Sequence, residues 1–232
     1  MAPLNTPAGA SVARKLCESY LTARETLVHL GFAHEADWQE SRRLSNLSER
    51  DFLQEGAWTI LASGFREATI RRIFPQISRA FLNWTRARSI AQHRARCEGR
   101  ARRVFNHGPK IRAIGSLCER VADEGFCNIR RKIESDGVEF LRTFAFIGPT
   151  TSYHFAKNIG LDVVKPDRHL LRLCKAAGFN SPNEMCQVIS ATTGDRLAVI
   201  DIVLWRYATV TSDYIRRFAE RRDQPLQVTM GN

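Results

Sequence analysis

"FAFIGPTTSYHFAKNIGLDVVKPDRHLLRL", residues 144–173, reads as the end of one helix, a tight turn, a short helix, a second turn and the start of a third helix. Gly148 permits a backbone with positive φ. Pro149 suits the first turn of the next helix, where an N–H is not needed. The remaining amides at such a helix start, those of Thr150 and Thr151, point outward together and favour an anion such as one phosphate oxygen. A plain corner between two helices would use the same residues. Asp167 follows, with Lys165 and Pro166 before it and Arg168, His169 and Arg172 after it. An aspartate directly before "RHLLRL" fits a helix N-cap.

The composition points to a polyanionic partner. The 232-residue chain carries 35 Lys+Arg against 24 Asp+Glu, a formal charge of +11. Counterion release rewards each phosphate such a protein neutralises, which places nucleic acid ahead of a membrane surface. No apolar run approaches the ~18 residues of a membrane span. "MAPLNTPAGASVARKL" has no signal-peptide core, so the chain is expected in the cytoplasm, associated with the nucleoid. With 44% hydrophobic and 25% charged residues it reads as globular rather than disordered. The six cysteines are scattered and form no C-x-x-C pair, which argues against a zinc ribbon, an iron–sulfur cluster or a dithiol site. No metal or other cofactor is expected.

Apolar residues recur at helical spacing along almost the whole chain, and strand-like alternation is confined to "LDVV". The pattern predicts an all-α protein of about ten helices. Ser48-x-x-Asp51 resembles a capping box at one helix start, Pro75 interrupts another helix, and the first 11 residues are small, polar and expected to be mobile. The most lopsided segment is residues 86–103, with seven arginines and one acid. It reads either as a solvated helix face or as a phosphate-contacting surface, partly disordered without its partner, with Arg96 and Arg100 as its candidates.

A carboxylate fixed at a helix start beside a phosphate-binding turn suits chemistry at a sugar. Breaking an N-glycosidic bond builds positive charge on the deoxyribose, and a fixed anion stabilises that charge and orients the attacking water. The residues that carry this chemistry also carry a resemblance. "FIGPTTS" followed by "VVKPDRHLLRL" resembles the helix-hairpin-helix DNA glycosylases, whose motif runs L-P-G-V-G-x-K-T-A and then V-D-x-H-x-x-R. The resemblance implies that Asp167 is the catalytic aspartate and that Phe146, Ile147, Gly148, Thr150 and Thr151 grip the DNA backbone, with Lys165, Arg168, Arg66 and Arg71 as further phosphate contacts. It also implies two helical lobes. Residues 51–164 form a central domain ending in the helix-hairpin-helix, and residues 1–50 and 165–232 combine into a terminal lobe.

Departures from the family pattern carry further expectations. Phe146 stands where the hairpin has its usual first glycine. "FAFIGPTTSYHF" is similar to the 3-methyladenine DNA glycosylase I branch, but the base-binding glutamate of that branch would fall near Thr59. Bifunctional members place a Schiff-base lysine in the hairpin where Thr150 stands, and a hydroxyl cannot form an imine. The implied activity is therefore monofunctional excision of a modified base from double-stranded DNA, by a monomer. Alkylated purines are the default substrate, because a cationic base leaves easily and aromatic walls hold it. Bulky hypermodified bases of foreign DNA, which would make this a defence enzyme, and a noncatalytic DNA-binding module are the alternatives. Trp58, Phe65, Glu67, Tyr153 and Trp205 are the candidates for base pocket or wedge, and each aromatic could equally be core packing.

Overall fold

The computed structural model describes residues 7–219. Among them are thirteen α-helices: α1 (Pro7–His29), α2 (Ala33–Ser41), α3 (Glu49–Ala62), α4 (Glu67–Ala80), α5 (Ala87–Gln92), α6 (Arg94–Val104), α7 (Gly108–Glu124), α8 (Phe126–Leu141), α9 (Pro149–Asn158), α10 (Arg168–Ala176), α11 (Pro182–Thr193), α12 (Leu197–Val210) and α13 (Tyr214–Phe218). No described residue is in a strand. "LDVV" is an extended connector, and no described helix is long and apolar enough to cross a membrane.

Several local expectations need correction. Helix α1 already begins at Pro7, which occupies its first turn, so residues 7–11 are helical and only residues 1–6 of that stretch lie outside the described part. Helix α4 runs unbroken through Pro75, at the loss of one backbone hydrogen bond, because buried Ile70 and Ile77 tie down both of its halves. The arginine segment is ordered as α5 and α6. Buried Ala87, Ile90, Cys97 and Ala101 supply the apolar stripe that packs these helices against the core. Ser48 does cap α3, its hydroxyl accepting from the Asp51 amide at 3.1 Å. Five of the six cysteines are buried.

The helices enclose two apolar cores. One runs from Leu47 to Ile159 and is built around Phe52, Phe81, Trp84 and Phe155. The other joins both ends of the described chain, packing Leu16, Tyr20 and Leu27 of α1 with Leu170, Met185, Leu204 and Tyr207. Polar contacts lock that closure. The Tyr20 hydroxyl donates to Asp195 at 2.6 Å, and Arg24 pairs with the same carboxylate at 2.6 Å. The seam between the cores is held by Arg196, which donates to the carbonyls of Arg42 (2.8 Å) and Gly160 (3.1 Å). Gly160, with φ 102°, cannot be replaced, since a Cβ there would sit 2.4 Å from the backbone of Arg43.

Candidate active site

The hairpin forms where α8 meets α9, but its reversal is not at Gly148. The Ile147 amide donates to the Phe144 carbonyl at 3.1 Å, and within that tight turn Phe146 takes the left-handed conformation, φ 65°. Gly148 is extended, φ −89°, and serves as the N-cap of α9. The expectation of positive φ at Gly148 is corrected by two residues: the turn closes before it, at the position where glycine is normally favoured. Holding a phenylalanine there costs about 1–2 kcal/mol. The Thr151 hydroxyl stiffens the bend by accepting the Gly148 amide at 2.6 Å. With Pro149 lacking an N–H, the amides of Thr150 and Thr151 have no acceptor within α9 and open its N-terminus to an anion. Ile147 is buried and anchors the bend in the central core.

Asp167 is the N-cap of α10, and it uses only half of its carboxylate for that role. Oδ1 accepts from the His169 amide at 2.9 Å and the Leu170 amide at 3.1 Å. Oδ2 lies 4.0 Å from the Lys165 ammonium. The two side chains are brought together by a three-residue turn around Pro166, closed by the Asp167 amide on the Lys165 carbonyl at 2.8 Å. Burial lowers the Lys165 amine below the ordinary lysine range and nearby Lys157 lowers it further, while Asp167, Asp201 and Glu67 oppose the shift. Glu67, in the first turn of α4, thus lies within electrostatic reach of this site, although its carboxylate also pairs with Arg71.

Beneath the turn sits a group that sequence reasoning missed. Asp201 of α12 is 1% exposed. Its Oδ1 accepts from Lys157 of α9, also buried, and its Oδ2 accepts from the Lys165 amide at 2.6 Å. Burial pushes the Asp201 carboxyl up, and Lys157 and the Lys165 amide oppose that shift. One carboxylate therefore ties the hairpin helix, the turn that carries Asp167 and α12 into one rigid unit. A lone acid inside the apolar run "LAVIDIVLW" is the signal that could have found it.

His154, half-buried on α9, lies beside this cluster. Desolvation, reinforced by Lys165 and Lys157, drives its pKa down to about 3, so it is neutral in the fold. A histidine with an ordinary value near 6.5 in the unfolded chain takes up a proton there first. Stability is therefore lost as pH falls from about 6.5 towards 3, and His154→Gln is expected to flatten that part of a thermal-midpoint-versus-pH profile. An unchanged slope would show that His154 titrates normally.

The remaining candidates separate by location. Trp58 packs edge-on against Phe74 at 5.2 Å with Arg71 over its face, so it belongs to the central core. Trp205 packs on the terminal core beneath Arg206. Tyr153, on α9, is half-buried. Thr59 is fully buried. Phe65 is exposed in the turn between α3 and α4, and Arg66, Arg96, Arg100 and Arg168 are exposed. A separate concavity between α1, α2 and α12, lined by Leu27, Phe32, Glu35 and Arg206, contains none of these groups. It is a packing seam closed by the Arg206–Glu35 pair.

The chain as a whole has a solved counterpart. The chain superimposes on an 8-oxoguanine glycosylase/lyase of Methanocaldococcus jannaschii, in complex with a 15mer DNA containing 8-oxoguanine, with a TM-score of 0.56 over 82% of this chain and 97% of that one. The fold is that of a DNA glycosylase. Identity between the two chains is 23%. No family model matches the chain, and no curated protein matches it. In this glycosylase fold the middle of the chain forms the core that carries the hairpin, and the two ends of the described residues close the core that carries Asp167.

Proposed function

We propose that this protein is a monofunctional DNA glycosylase that removes a modified base from double-stranded DNA and leaves an abasic site. The observation that supports this best is the divided role of Asp167. One oxygen is fixed by two backbone amides, and the other is free of the cap and lies 4.0 Å from the Lys165 ammonium. Rigid anchoring with one oxygen still available is what stabilising a sugar cation requires. The α9 N-terminus would hold a phosphate beside the lesion, and exposed Arg66, Arg96, Arg100 and Arg168 would add sequence-independent attraction. Alkylated purines remain the default substrate. In hydrolysis, water adds to C1′ as the C1′–N bond breaks, its proton passes to Asp167 or solvent, and the base departs with the bonding electrons.

Thr150 at the hairpin's lysine position supports hydrolysis without strand cleavage. A second reading rests on Lys165, whose amine burial weakens as a base, favouring the uncharged form, and which lies 4.0 Å from Asp167. An amine so placed has the chemistry to form an imine with C1′ of the abasic sugar, with loss of water. One experiment separates the two. The purified protein is incubated with a panel of modified-base duplexes, and the products are divided between alkali treatment and borohydride. Alkali-labile sites without a trapped adduct are the expected result. A trapped adduct that disappears in Lys165→Ala would establish the second reading, and no abasic sites on any duplex would leave a noncatalytic DNA-binding module.

A further inference from the structure

The C-terminal end of α9 is held by side chains of the other core. A helix leaves its last carbonyls without intrahelical partners, and here three donors from outside α9 reach that end. Buried Gln39 of α2 donates Nε2 to the Lys157 carbonyl at 2.8 Å, and Arg42, the C-cap of α2, donates Nε to the Asn158 carbonyl at 3.0 Å. Arg196 donates Nη2 to the Gly160 carbonyl, just past the helix, at 3.1 Å. The donors come from the terminal core, on which α2 packs through Ala36 and α12, with Arg196 as its N-cap, through Val199 and Ile200. Helix α9 belongs to the central core through Phe155 and Ala156.

Arg196 ties more than the helix end. Among the described residues the chain passes between the cores after α2 and again after α9. One half-buried guanidinium bonds both passages. Nη1 donates to the carbonyls of Arg42 (2.8 Å) and Gln39 (3.3 Å), Nη2 to that of Gly160, and Nε lies 3.7 Å from the Asp162 carboxylate. Asp162 in turn accepts from the Ala198 amide, in the first turn of α12, at 2.9 Å. The rigid fork of arginine can make such divergent bonds from one group, whereas lysine presents a single point charge. Two cores of one chain move relative to each other by default, unless a large apolar interface prevents it. The bonds at this junction are polar, and they converge on Arg196.

The two halves of the proposed site lie on opposite sides of the junction. The α9 N-terminus, with the Thr150 and Thr151 amides, stands on the central core, and Asp167 caps α10 on the terminal core. We infer that Arg196 is a positioning residue: by tying the ends of α9 and α2 to the start of α12, it fixes the span between a phosphate held at the hairpin and the Asp167 carboxylate. The consequence for activity rests on the proposed glycosylase reading, and the consequence for the cores rests on the junction alone. A sugar reaches Asp167 only while that span is kept, and a misplacement of about 1 Å can cost about 10²-fold in rate.

The test reads core geometry and activity separately. Cys127 on α8 is exposed and the other five cysteines are buried, so with Lys175→Cys on the exposed side of α10 two spin labels report the distance between the cores in the free protein. One narrow distance distribution is expected with Arg196 present, and Arg196→Met should broaden or shift it. On a modified-base duplex Arg196→Met should excise about 10- to 100-fold more slowly in single turnover at saturating DNA, the loss lying in rate rather than in affinity. Arg196→Lys, which keeps a cation without the fork, should rescue neither readout fully and serves if the methionine variant does not fold. An unchanged distance distribution, or wild-type excision by a folded variant, would make Arg196 a residue of stability alone and overturn the inference. If wild type excises no base from any duplex, the glycosylase reading falls and the label distances alone decide whether Arg196 sets the cores.

Discussion

Asp167→Asn is expected to lower base excision by about 10²–10³-fold, the loss found when one preorganised electrostatic group facing the reacting centre is removed. The fold should survive this change. Asparagine caps helices about as well as aspartate, and its carbonyl oxygen can take the place of Oδ1 in accepting from His169 and Leu170. The substitution therefore removes charge and leaves geometry. Single-turnover excision on the best duplex from the substrate panel, read beside a thermal melt and the affinity for undamaged DNA, separates these effects. Asp167→Ala is the companion, since it also removes the cap and should cost about 0.5–2 kcal/mol of stability. Wild-type excision by the asparagine variant would reduce Asp167 to a cap.

The largest effect on stability is expected at Asp201. Asp201→Ala leaves the Lys157 ammonium buried without its partner and the Lys165 amide without its acceptor, a loss of about 3–5 kcal/mol. Total stabilities of domains are about 5–15 kcal/mol, so this variant should be barely folded. Replacing both partners is a different matter. Lys157→Met with Asp201→Leu removes the uncompensated charge and should recover most of the urea midpoint, because an apolar pair of similar volume is often as stable as a buried ion pair. Its excision activity should nevertheless stay low, since the Lys165–Asp167 turn has lost the bond that holds it against α12. A double variant with full activity would show that Asp201 serves stability alone and does not position the Lys165–Asp167 turn.

The helical class and the order of the motif elements were legible in the sequence because both depend on local rules. Apolar spacing at the helical period, Ser48 and Asp167 as caps and Pro149 at a first turn are decided within a few residues of chain. Backbone detail was less accessible. Gly148 had the composition of a left-handed residue, yet the turn closed around Phe146, because buried Ile147 and the bond from Thr151 to the Gly148 amide set where the chain reverses. Pro75 likewise has the local signature of a break, and packing on both sides of it overrides that signature.

Residues 144–173 alone determined that a short helix would offer its N-terminus to an anion and that an aspartate would cap the helix after it. Only the tertiary structure decided which side chains surround that aspartate. Lys157, Asp201 and Lys165 converge from α9, α12 and the intervening turn, and Phe65, Lys110 and Phe146 converge from three separate segments. Lys110 reads from sequence as an ordinary charge at a helix start, but three segments close over it, and burial lowers its pKa to about 8. The physical reason is common to both clusters. A charge's surroundings are set by contacts between residues far apart in the chain, and hydrophobic collapse, which is blind to sequence distance, brings them together.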